Sequence, residues 1–65
     1  MTVEKAVKIL NLTTSIAETR GKMKFCLEQL SAPVLPDEKR MYFVERMEQL
    51  SDEIGKANRA ISLLA

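Results

Sequence analysis

The chain has 65 residues and a mass of 7.4 kDa, so it is expected to form one domain, 1–65. One Cys and no His exclude an intrachain disulfide framework, a Cys/His zinc site and any His-based triad. The net charge of +1 sets up no field that would draw the chain to nucleic acid or a membrane, and 46% hydrophobic with 29% charged residues is a globular or coiled-coil balance.

In chain order, the first element is a long helix over about 3–31. Thr2 can cap it with its hydroxyl, and Glu4 places negative charge in its first turn. Ile9, Leu12, Ile16, Thr19, Met23, Cys26 and Leu30 recur at alternating steps of three and four, which is the a/d seam of a coiled coil. A turn over about 32–35 follows. Pro33 disfavours helical geometry at Ala32, and Pro36 suits the first turn of a new helix because its missing N–H would be unpaired there. Asp37 and Glu38 then sit where the helix dipole is positive. The second helix runs over about 36–64, and Phe43, Met47, Leu50, Ile54, Ala57, Ile61 and Leu64 repeat the same spacing. No stretch shows the period of two that a strand needs.

The fold class that follows is all-α: an antiparallel two-helix hairpin, coiled-coil-like. Folding at the prolines matches the seams pair by pair, with Leu30 meeting Phe43, Cys26 meeting Met47, Met23 meeting Leu50, Thr19 meeting Ile54, Ile16 meeting Ala57, Leu12 meeting Ile61 and Ile9 meeting Leu64. Chains this short bury only about 60% of their unfolded surface, so a two-helix core calls for further burial. Self-association into a helical bundle, most simply a dimer of four helices, would provide it.

Two sets of apolar residues lie off the seam. Val3, Val7, Leu10, Thr14, Ala17 and Gly21 form a second stripe on the first helix, displaced by more than a quarter turn, with residues that become smaller toward Gly21. Phe25, Leu27, Val34, Leu35, Met41, Tyr42 and Val44 gather at the turn end, more than one seam can bury. Both sets are expected at an interface with another copy or with a partner protein.

Arg20, Lys22 and Lys24 form a basic cluster. The seam pairing puts Arg20 level with Glu53, so a solvated, salt-bridged face is one expectation; an anion site between subunits, completed by Arg40, Lys56 or Arg59, is the other. Helix one carries five basic and three acidic residues, and helix two five basic and six acidic, an asymmetry too small for duplex DNA binding. Catalysis is not expected. There is no phosphate loop and no nucleophile with a base, and Glu45, Glu48, Asp52 and Glu53 lie on the solvent face. Cys26 on the seam reads as a small core hydrophobe. No cofactor or metal is expected.

In size and heptad pattern the chain is similar to the RNA-binding plasmid copy-number hairpin, which dimerises into a four-helix bundle. It also resembles the co-chaperone hairpins of type III secretion needle subunits and compact helical phage proteins that inhibit host defences or sequester nucleotide signals. The sporulation hairpin phosphatases carry Ser-Gln-Glu-Leu-Asp, an order that Gln49-Leu50-Ser51-Asp52-Glu53 does not reproduce. The function expected is therefore a non-catalytic interaction or adaptor protein that self-associates and binds a partner protein through apolar helix faces. The alternatives are an oligomer holding a small anionic or nucleotide ligand, and a dimeric RNA-binding hairpin. The longest apolar run, Met41–Val44, is far short of a membrane span, and the N-terminus shows no secretion signal, so a cytoplasmic location is expected.

Overall fold

The structure is a computed structural model and describes residues 2–65. Two helices of equal length, α1 (Val3–Leu30) and α2 (Asp37–Leu64), of 28 residues each, fold back on one another. The result is an all-α helical hairpin, a rod of 51 × 14 × 10 Å.

Local chemistry sets the helix ends. The Lys5 backbone N–H donates to the Thr2 hydroxyl at 3.2 Å, satisfying one of the unpaired donors of the first turn. At the other end of α1, Ser31 is the C-cap; its N–H reaches the Leu27 and Gln29 carbonyls, and its hydroxyl donates to the Leu27 carbonyl at 2.9 Å. Pro36 stands at the N-cap of α2, one residue outside the position the sequence pattern assigns it. Its ψ of 145° is extended, and its carbonyl accepts the first helical bond, from the Arg40 N–H at 2.9 Å. Asp37 and Glu38 occupy the first turn of α2.

The core runs along the seam. Ile16, Thr19, Cys26 and Leu50 are buried, and Leu50 is fully so. Ile9, Leu12, Met23, Leu30, Phe43, Met47, Ile54, Ala57, Ile61 and Leu64 are half-buried. Thr19 is the one buried polar residue among those described, and its hydroxyl donates to the Ser15 carbonyl at 2.9 Å, so no buried polar side-chain atom is left unpaired.

The register differs from the pairing expected of the seams. The Phe25 and Phe43 rings meet edge to face with centroids 6.3 Å apart. If Phe43 stood level with Leu30, Phe25 would lie five residues away, roughly 7.5 Å along the axis. Side chains lean toward their own N-terminus, so in antiparallel helices the two rings would also lean apart. They touch instead. A groove lined jointly by Glu18–Cys26 residues and Tyr42–Leu50 residues makes the same point over a longer span. The seams are therefore engaged about one heptad away from the expected pairing, which brings Ile16 near the level of Leu50 and Met23 near that of Phe43. The reason is that sliding one heptad repeat along another by seven residues still sets a/d positions against a/d positions wherever the two seams overlap. The connection decides between such registers, and loop 31–36 returns the chain so that equal helices end level.

Candidate functional site: an apolar groove at the turn end

The slid register creates the most distinctive surface of the molecule. Along one side of the helix pair, near the turn, lies an open groove of about 590 Å³. Its floor is Cys26, Phe43 and Leu50, its apolar walls are Phe25 and Tyr42, and Gly21 opens one side. Glu18, Lys22 and Arg46 form its polar rim. Phe43 is the keystone, with Phe25 on one side and Tyr42 on the other, at centroid distances of 6.3 and 5.2 Å and both edge to face. Such pairs contribute about 0.5–1.5 kcal/mol each beyond area burial and hold the walls in fixed orientation.

Each groove position has a local cause. Phe25 and Glu18 are seven residues apart and share a row of α1 beside the seam; Tyr42 and Arg46 flank the seam of α2 on the same side. Phe25 and Tyr42 keep 55% and 60% of their surface exposed, so they wall the groove rather than fill it. Gly21 leaves a gap, since a Cβ there would meet nothing within 4 Å. Arg46 is held along its own helix by donating to the Gln49 side-chain oxygen at 3.4 Å.

Gly21, Phe25 and Tyr42, from the two apolar sets read in the sequence, meet at this groove. The other members lie elsewhere, and all but Leu35 are exposed. Val3 and Val7 line a shallow depression with Glu4 and Lys8 at the open end of the hairpin. Leu10 and Ala17 are on the back of α1. Met41 and Val44 lie on the side of α2 away from the groove, as does Leu27 on α1. Val34 is 89% exposed in the loop, whereas Leu35 folds back and is half-buried.

The basic cluster is not brought together. Residues two apart on a helix point in nearly opposite directions, so Lys22 turns to the groove rim while Arg20 and Lys24 turn away. All three are exposed. The register also removes Glu53 from the level of Arg20, to about that of Thr13, so the ion pair anticipated between them does not form. Cys26, 3% exposed, lies beneath the groove as a floor residue. Leu63, 88% exposed, is the apolar residue that sequence reading missed. Its signal was its row: it lies three heptads from Tyr42 and shares that residue's side of α2.

Among the described residues no group of His, Cys, Asp or Glu could hold a metal ion, and no helix is long and apolar enough to cross a membrane. No protein-family description, curated protein or solved structure matches this chain.

Proposed function

We propose that this protein is a non-catalytic interaction module that self-associates and binds a partner protein through its apolar helix faces. The observation that carries this reading is the imbalance between its core and its surface. Among the described residues three hydrophobic ones are buried, whereas ten large ones keep 42% or more of their surface exposed. Exposed apolar area on this scale in so small a chain supports an interface role. The exposed residues fall on different sides, the groove with Phe25 and Tyr42 on one and Leu27, Met41 and Val44 on the other, so self-association and partner binding need not compete.

Sedimentation equilibrium across the micromolar range, repeated at low and moderate salt, tests the self-associating part. Association that strengthens or holds as salt rises is the expected result; a monomer at all concentrations would overturn it. A second reading, an oligomer that holds a small anion, draws on Lys22 and Arg46 sharing the groove rim. Glu18 on the same rim opposes it, and loss of association at moderate salt would be its signature.

A further inference from the structure

We infer that the groove at the turn end is a binding site for a small aromatic carboxylate, whose flat body lies between the rings and whose acid group meets Arg46. This inference goes beyond the association proposed above and needs no second copy.

The first argument is the size of the groove and where it stops. Its volume of about 590 Å³ lies within the roughly 300–1,000 Å³ of small-molecule sites. One heptad further toward the open end, the rows that line it carry Asn11 in line with Glu18, Ser15 with Lys22, Gln49 with Tyr42 and Glu53 with Arg46. All four are polar and exposed. The apolar bed is therefore about two turns long, roughly 10 Å. A third helix laid along the hairpin would run off it after those turns. A molecule of one or two rings fits within it.

The second argument is the walls. Phe25 and Tyr42 both meet Phe43 edge to face, so the three rings brace one another before any guest arrives. Phe25 and Tyr42 still keep more than half of their surface free, and Gly21 has no side chain to narrow the opening. Preformed aromatic surface of this kind suits a flat, rigid guest, which loses little freedom on binding.

The third argument is charge. The three charged residues of the rim are not equivalent. Glu18 precedes Lys22 by four residues, the order and spacing in which a carboxylate and an ammonium offset each other on one helix. Arg46 has Tyr42, Phe43, Gln49 and Leu50 at the corresponding spacings, and no carboxylate among them. It is half-buried, and it donates to the neutral Gln49 side-chain oxygen at 3.4 Å, a long contact that an incoming carboxylate can replace. A guanidinium at the lip of an apolar groove can hold a carboxylate through two parallel bonds, and partial burial spares that pair from much of the screening by salt. A bare anion would gain little here, because Glu18 cancels part of the positive charge on the rim. An aromatic acid draws its hold from the walls and needs only Arg46 for its head. Once seated it covers Phe25 and Tyr42, so guest and second copy exclude each other on this side.

The test titrates the full chain, isotope-labelled and at the lowest practical concentration, with 2-naphthoate and with its neutral analogue 2-naphthamide, followed by amide chemical shifts. Saturable shifts are expected at Gly21, Phe25, Tyr42, Phe43 and Arg46, with the carboxylate held roughly fivefold more tightly than the amide. Arg46→Gln should erase that preference and leave 2-naphthamide binding as it was. Phe25→Ala should weaken both ligands, and Leu10→Asp, on the back of α1, should weaken neither. Circular dichroism checks that each variant keeps its helices. Equal binding of acid and amide by the wild type, or a preference that survives Arg46→Gln, overturns the inference. So does the absence of saturable binding, which would leave the groove to a protein surface. Sedimentation of the unliganded chain reads self-association separately, so either idea can fail while the other stands.

Discussion

The middle of the hairpin and its turn end are built from the same heptads and the same kinds of residue, yet they close to different degrees. At the level of Ile16 and Leu50 the seam is sealed: Leu50 has no exposed surface and Ile16 only 9%. About two to two and a half turns nearer the loop, bulkier residues leave the surface open, with Phe25 and Tyr42 more than half exposed around Phe43. Small and medium side chains interdigitate between two helices. Three aromatic rings in one layer cannot all enter the same interface, so two of them stand outside it and wall a groove. Crowding at the turn end thus produces a recognition surface from the pattern that produces a core elsewhere.

The sharpest way to break this comparison is to truncate one residue from each region. Leu50→Ala should cost roughly 2–5 kcal/mol, because it empties a fully enclosed site that two helices cannot easily collapse around. Phe25→Ala should cost well under half of that in dilute solution, losing one edge-to-face contact and the covered part of one ring. Urea unfolding of both variants at the lowest practical concentration checks the order. Equal losses would mean that the turn end is as much a core as the middle.

Cys26 sharpens the boundary, since it lies at the groove floor and yet is 3% exposed. Cys26→Ser should destabilise by about 1–3 kcal/mol by placing a hydroxyl in an apolar setting. Labelling of the native thiol should proceed only as fast as the hairpin opens, and should slow as protein concentration rises. Rapid labelling at every concentration would show that the groove has no floor.

The helices and their seams were legible in the sequence because period and breakers are local signals. Thr2 at the N-cap, the proline pair and fourteen seam positions all follow from rules acting over one or two turns. The register was not legible in the same way. Leu50 matches Met23 and Ile16 equally well as an a/d partner, and only the path of loop 31–36 distinguishes the pairings. The groove inherits that ambiguity, because its walls come from both helices and meet only once the register is set. Arg20, Lys22 and Lys24 illustrate the converse error: proximity in sequence suggested a cluster, and the helix turns its members to different sides.

The two glycines provide the finest probe of the difference between the regions. Both lie in helix interiors, neither has positive φ, and at neither would an added Cβ meet an atom within 4 Å. Gly21→Ala and Gly55→Ala should therefore each stabilise the hairpin by up to about 1 kcal/mol, through the helix propensity alone. Gly55 lies outside the groove, so its gain should be the same at every protein concentration. Gly21 opens one side of the groove, one of the apolar faces proposed above for association. Its gain should hold in dilute solution and shrink as concentration rises, since the new methyl group occupies space the dimer needs. Thermal unfolding of both variants over a hundredfold range of concentration separates the two cases. Parallel behaviour throughout would mean that Gly21 faces only water, and that the groove is not where the copies meet.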